Sequence, residues 1–124
     1  MDQPGLVAIC VLIVDDDPSF RETASELLLT RGFAVAGHAA DDQEAVAAAG
    51  RLRPDGVLLD IHLGEVDGCD VVSQISPGGA GPRVLLTSAD RVASNDELAQ
   101  RCGAVGFVAK EELATVDLAR YFAG

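Results

Sequence analysis

Basic residues are scarce in this sequence. The 124-residue chain carries nine Lys and Arg against 20 Asp and Glu, a formal net charge of −11 with both histidines neutral. A surface that negative repels phosphate backbones, which argues against direct binding of DNA or RNA by this chain. It suits a divalent cation or a basic protein patch better. Tryptophan is absent, so no indole can report on a bound ligand. Cysteine is sparse: Cys10, Cys69 and Cys102 are odd in number and lack CxxC spacing, so a full disulfide framework is not expected. Each reads as a structural residue, Cys10 as a small hydrophobe inside an apolar run. There is no long hydrophobic segment either. The longest, Leu6 to Val14, is too short to span a bilayer. Asp2 and Gln3 stand where a secretory signal would be basic. The expectation is a cytoplasmic protein without a membrane anchor.

What is present is an ordinary globular balance, 48% apolar and 23% charged. The length fits one domain over residues 1–124. Leu6 to Val14 is continuous, apolar and rich in β-branched residues, the pattern of a strand buried on both faces. It ends at Asp15-Asp16-Asp17. Asp17 is a suitable helix N-cap and Pro18 a suitable first helical residue. Phe20, Ala24, Leu27, Leu28 and Arg31 then recur at helical spacing, and Gly32 closes the helix.

A weaker strand spans Phe33 to Ala39. Asp41 or Asp42 caps a helix running to about Arg51, with Ala45, Val46, Ala49 and Leu52 inward, before Pro54 breaks it. Gly56 to Asp60 is a short apolar strand that again ends in an acid. Ile61 to Asp67 reads as a loop, and Gly68 opens a short helix with Val71, Val72 and Ile75. The stretch from Pro77 to Pro82 is a glycine-rich loop. Arg83 to Thr87 is a fourth strand, Asp90 to Cys102 a helix, Val105 to Ala109 a fifth strand, and Glu111 to Phe122 a last helix packing Leu113, Val116, Leu118 and Phe122. Strand–helix alternation repeated five times implies a parallel sheet with helices on both faces.

The polar residues fall where such a sheet binds ligands, at the carboxyl ends of its strands. Asp15 and Asp16 end the first strand, Asp60 the third and Thr87 with Ser88 the fourth, while Lys110 comes after the fifth. Three carboxylates in one cleft repel each other, and a hard cation such as Mg²⁺ relieves that repulsion with oxygen ligands. One carboxylate beside the metal can attack phosphorus, and an ammonium and a hydroxyl can neutralise phosphoryl oxygens. Asp60, between the acid pair and the Thr87/Lys110 side, is the best nucleophile candidate. His38 has no His or Cys partner that would make it a ligand.

The segments Val-Asp15-Asp16-Asp17-Pro18, Pro54-Asp55-Gly-Val-Leu-Leu-Asp60-Ile-His62-Leu, Asp67-Gly68, Leu-Leu-Thr87-Ser88-Ala89 and Gly103-Ala-Val-Gly-Phe107-Val-Ala-Lys110 resemble the receiver domains of two-component response regulators, over nearly the whole chain. The resemblance implies a flavodoxin-like (βα)5 doubly wound sandwich with a five-stranded parallel sheet in order 2-1-3-4-5. It implies Asp60 as phosphoacceptor, and Asp15, Asp16, Asp60 and the His62 carbonyl around Mg²⁺. Thr87 and Lys110 would bind phosphoryl oxygens. Phe107 would be an aromatic switch moving inward as Thr87 is drawn to the phosphoryl group. The implied partners are a sensor histidine kinase or phosphotransfer protein, with a homodimer as a further option. The sequence departs from the family pattern at Gly64 and Glu111, where proline is usual or frequent, at Ser88, where a smaller residue is usual, and in its short helix after the third strand. Two other readings remain: a receiver-like scaffold that is not phosphorylated, and a phosphatase, because Asp15-Asp16-Asp17 also resembles the Asp-x-Asp nucleophile motif of haloacid-dehalogenase-type enzymes. The latter leaves Asp60 without a role.

Overall fold

The computed structural model describes residues 8–90 and 96–123. Its elements in chain order are β1 (Cys10–Val14), α1 (Pro18–Thr30), β2 (Ala34–Ala39), α2 (Asp42–Leu52), β3 (Gly56–Asp60), β4 (His62–Leu63), β5 (Val66–Asp67), α3 (Gly68–Ile75), β6 (Arg83–Ser88), α4 (Asp96–Cys102), β7 (Gly106–Ala109) and α5 (Leu118–Phe122). Among the described residues the large sheet has five strands in the order β2-β1-β3-β6-β7. All of its pairs are parallel. Counting those five strands alone, the order is 2-1-3-4-5, the flavodoxin-like arrangement expected from the alternation and the resemblance.

Period-2 alternation sends strand side chains to two separate cores. Leu12, Val14, Val57, Leu59, Val84 and Leu86 join Ala45, Ala48, Val71, Val72 and Ala99 on the α2–α3–α4 side. Val11, Ile13, Leu58 and Leu85 join Ala24, Leu28, Phe33 and Phe122 on the α1–α5 side. On α2 the deepest residues are Ala45 and Ala48, while Leu52 is 39% exposed. The expected inner face is therefore rotated by about one residue, and Leu52 lies against Gly37 instead.

Local chemistry sets the helix starts. Asp17 accepts from the Ser19 N–H at 3.0 Å, with Pro18 at the first helical position. Asp41 accepts from Glu44 N–H at 2.8 Å while the Glu44 carboxylate accepts from Ala40 N–H at 2.8 Å, a reciprocal capping arrangement. Asp67 accepts from Cys69 N–H at 2.9 Å and starts α3.

Two expectations are corrected and two are made more specific. The segment after Asp60 is not an open loop: His62 and Leu63 pair antiparallel with Asp67 and Val66. Gly64, in place of the usual proline, has φ +61° at the turn of this hairpin. Proline is locked near −65°, so this turn requires the departure from the family pattern. The last helix is broken. A 3-10 turn covers Lys110–Glu112 and α5 starts only at Leu118. The Arg31 guanidinium takes the carbonyls of Ala114 and Val116, and Asp117 recaps the chain by accepting from Ala119 N–H. Leu113, Leu118 and Phe122 are nevertheless buried as expected. Within the span read as a helix from Asp90 to Cys102, α4 occupies Asp96–Cys102, and positions 91–95 lie outside the described residues. Finally, Cys69 and Cys102 form a disulfide, with Cα atoms 5.0 Å apart. Cysteine parity and spacing carry no information about two residues 33 positions apart that the fold brings together.

Close approach of backbone requires a glycine at position 68. A Cβ on Gly68 would sit 2.7 Å from the Ile61 Cα, and the Gly68 N–H donates to the Ile61 carbonyl at 2.9 Å. Backbone cannot yield as a side-chain tip can. Gly68→Ala is expected to cost about 2 kcal/mol in a urea unfolding curve, from forced displacement of the segment after Asp60. An unchanged midpoint would show that the contact relaxes freely.

Candidate phosphoryl and metal site

The site is built at one end of the large sheet. β1 delivers Asp15 and Asp16, β3 delivers Asp60, β6 delivers Thr87 and Ser88, and Lys110 comes directly after β7. In the register, Asp60 lies beside Thr87 and Thr87 beside Val108. Segments far apart in sequence thus converge because parallel strands end together.

One oxygen from each of Asp15, Asp16 and Asp60 falls within 4.8 Å of the others. Asp15 is fully buried, Asp60 is 7% exposed, and Asp16 is open to solvent. The Lys110 ammonium stands 2.7 Å from Asp15 Oδ2 and 3.6 Å from Asp60 Oδ2. It also lies 4.2 Å from the centre of the Phe20 ring, a cation–π contact that limits where the amine can swing. The opposite carboxylate oxygens are held by backbone: Asp17 N–H donates to Asp15 Oδ1 at 2.9 Å, and His62 N–H donates to Asp60 Oδ1 at 3.0 Å. Arg21 donates to the Asp15 carbonyl at 2.7 Å, tying α1 to the end of β1. Thr87 is fully buried, and its hydroxyl oxygen has no hydrogen-bond partner among the described residues. Such an orphaned hydroxyl calls for an acceptor or donor that the described residues do not supply.

Burial pushes the Asp60 carboxyl above its ordinary range. The His62 N–H and the Lys110 ammonium pull it down, Asp15 and Asp16 push it up further, and the net direction is upward. For Lys110, burial lowers the amine, but its hydrogen bond to Asp15 and the charges of Asp60 and Asp15 outweigh that, so its pKa rises. The site therefore holds a charged lysine and a carboxylate that ionises reluctantly.

Asp15, Asp16, Asp60 and Lys110 meet there, with Thr87 beside Asp60 in the register, and further details come only from the structure. Phe20 seemed only a core residue of α1, yet its ring faces Lys110; its place in the first turn after the acid pair was the available signal. The His62 contribution seen is its N–H, and its side chain is exposed. Ser88, the departure beside Thr87, is buried and accepts from Asp90 N–H at 3.0 Å, closing the turn after β6. Phe107 is 5% exposed within the α2–α3–α4 core, so the ring expected to move inward already lies inside. There is no cis peptide among the described residues, so the Lys110–Glu111 bond is trans. His38 is exposed at the end of β2.

Comparison with known sequences decides the family. The response regulator receiver domain profile matches residues 11–120. The chain belongs to the response regulator receiver domain family. The receiver is 37% identical over 109 residues to a protein-glutamate methylesterase/protein-glutamine glutaminase of Archaeoglobus fulgidus, covering 87% of this chain and 31% of that protein. Among solved structures, the signal receiver domain of the putative response regulator NarL from Mycobacterium tuberculosis matches with a TM-score of 0.78 and 32% identity, over 89% of this chain and 90% of that one. A response regulator from Burkholderia pseudomallei, solved with a phosphorylated aspartic acid, a calcium ion and citrate, matches with a TM-score of 0.77 and 27% identity, over 90% of this chain and 65% of that one. The receiver spans from about a third to about half of the length of the curated relatives it matches. Among the described residues no helix is long and apolar enough to cross a membrane.

Proposed function

We propose that this receiver takes a phosphoryl group from a phosphohistidine of a sensor kinase or phosphotransfer protein onto Asp60, in a Mg²⁺-dependent reaction, and signals through the β6–α4 side of the fold. The observation that carries this reading is the placement of Asp60 within 4.8 Å of Asp15 and Asp16 and beneath the Lys110 ammonium. The donor set fits Mg²⁺: three carboxylates are hard oxygen ligands, and the cluster already gathers a lysine cation between two of its members. Asp15, Asp16, Asp60 and the His62 carbonyl would hold the ion. Bound there, it would neutralise the carboxylates and the charge on the incoming phosphoryl oxygens.

The protein's own groups do the rest. A carboxylate oxygen of Asp60 attacks phosphorus as the donor P–N bond breaks, so the histidine nitrogen leaves with its electron pair. The His62 N–H keeps the carboxylate oriented through Asp60 Oδ1. Lys110 shifts from Asp15 toward the new phosphoryl oxygens, and Thr87 gives its unpartnered hydroxyl to another. Thr87 and Phe107 act as the switch pair; with the ring already inside, the phosphoryl group holds that arrangement in place. In this role the chain accepts a group and does not turn over a substrate. The methylesterase name belongs to a relative of which the chain spans 31%.

Incubation with acetyl phosphate and Mg²⁺ is expected to add one phosphoryl group by intact mass, removable by hydroxylamine as an acyl phosphate should be. No mass gain overturns the proposal and leaves the scaffold reading. Asp16→Ala is expected to lose most of the Mg²⁺-dependent rise in melting temperature, since a cation that binds only the folded state stabilises through its affinity. A full rise in that variant would remove Asp16 from the metal site.

A further inference from the structure

We propose that Cys69 and Cys102 form a reversible redox site that exchanges with small-molecule disulfides and, when oxidised, locks α4 onto α3 against the phosphoryl switch. The coupling half of this inference rests on the function proposed above. The redox half does not.

The position of the pair is what carries it. Cys69 lies in the first turn of α3 and Cys102 at the end of α4, with Cα atoms 5.0 Å apart, well inside the range a disulfide spans. Both are half-buried, and Cys69 lines a groove with His62, Glu65, Asp67 and Leu98 that opens beside the hairpin after Asp60. A small oxidant can therefore reach one sulfur without unfolding. Cys10, the third cysteine, is free.

The two tethered segments leave the two key strands of the site. The start of α3 is fastened to Ile61, next to Asp60, by the Gly68 N–H and by a packing distance that excludes a Cβ. Among the described residues, the α4 helix is the next helix after β6, which carries Thr87. Drawing the Thr87 hydroxyl toward a phosphoryl group on Asp60 moves the end of β6, the strand that precedes α4 in the chain. A covalent tie between α3 and α4 removes that freedom, so oxidation and phosphorylation oppose each other. Linkage makes the opposition reciprocal: whatever weakens phosphoryl binding in the oxidised form also weakens oxidation in the phosphorylated form.

The exchange balances. The Cys69 thiolate attacks one sulfur of oxidised glutathione, the glutathione S–S bond breaks, and one glutathione thiolate leaves. The Cys102 thiolate then attacks the Cys69 sulfur and expels the second glutathione thiolate. Two protein thiols are oxidised, one small disulfide is reduced to two thiols, and the two protons released are taken up by the leaving thiolates.

The test uses the full chain with Cys10→Ser, to prevent bridging between molecules. Oxidised glutathione is expected to remove two hydrogens by intact mass and abolish both free thiols, and dithiothreitol to restore them. Cys69→Ser should stop at a mixed disulfide on Cys102 or not react at all. Oxidation is expected to raise the melting temperature by roughly 10 °C, because the bridge closes a long loop in the unfolded chain. Titration with beryllofluoride and Mg²⁺, read by thermal shift, should show at least about fivefold weaker affinity in the oxidised form, the lower range of allosteric couplings. Failure to form the intramolecular bond overturns the redox site. Equal or tighter beryllofluoride binding by the oxidised form overturns the coupling. If even the reduced form ignores beryllofluoride, the phosphoacceptor reading falls and takes the coupling with it, while the mass result still decides the redox site.

Discussion

Asp60→Asn is expected to abolish phosphoryl uptake completely and, in the absence of metal, to raise the melting temperature by a few degrees. The first effect comes from loss of the attacking oxygen. The second comes from where the carboxylate sits. Asp60 is 7% exposed, and Asp15 and Asp16 crowd it. Burial and those neighbours push its pKa upward. Asparagine keeps an oxygen for the His62 N–H and removes the charge. The Lys110 ammonium keeps its nearer partner, Asp15, at 2.7 Å. A gain of about 1 kcal/mol would shift the melting temperature by about 3–6 °C for a domain of this size.

The pH dependence checks the cause. A folded-state pKa above the unfolded value means that the folded state favours the protonated carboxyl. That contribution is fully present below the ordinary value of 3.8 and is lost as pH rises through the folded value. The advantage of Asp60→Asn over the wild type should therefore be small in acid and widen as pH rises through that window. Melting curves in EDTA at a series of pH values measure it directly. A gap that does not change with pH would refute the charge explanation even if phosphoryl uptake were lost.

Lys110→Ala is expected to do the reverse to stability. The ammonium is the cation between two buried carboxylates, 2.7 Å from Asp15 and 3.6 Å from Asp60. Breaking a buried pair by removing one partner costs about 3–5 kcal/mol. With the Lys110 side chain 19% exposed, water screens part of that, and about 2–3 kcal/mol is the expected loss. Mg²⁺ should restore more stability to this variant than to the wild type, because the added cation replaces the missing charge and no longer competes with it. The response to beryllofluoride should nevertheless be lost, since the group that reaches from Asp15 to the phosphoryl oxygens is gone. Lys110 titrates above its ordinary 10.5, so its contribution persists throughout the neutral range and disappears only as pH rises through that higher value. A variant as stable as the wild type at neutral pH would mean the carboxylates manage their repulsion without the lysine.

Much of this was legible in the residues because it depends on local or periodic features. The strand β3 runs from Gly56 to Asp60 as read, since a short apolar run ending in an acid admits few other structures. The caps at Asp17 and Asp41 accept the N–H groups their spacing calls for. The broken C-terminal helix was not legible. Its apolar residues do repeat at helical spacing, but the carbonyls that a continuous helix would use are taken by Arg31, a residue more than 80 positions away in sequence. The Cys69–Cys102 bond escaped for the same reason: cysteine counting sees number and spacing, and the packing of α3 against α4 is invisible to both.

The residues by themselves determined the strand–helix alternation and which side chains stand at strand ends, because hydrophobic periodicity and capping act over one or two turns of chain. Only the tertiary structure decided that Lys110 reaches across to Asp15 more closely than to Asp60, that Phe20 faces that lysine, and that Thr87 keeps a buried hydroxyl without a partner among the described residues. Those are distances between segments joined solely by the register of parallel strands, and register is settled by the packing of both faces of the sheet at once.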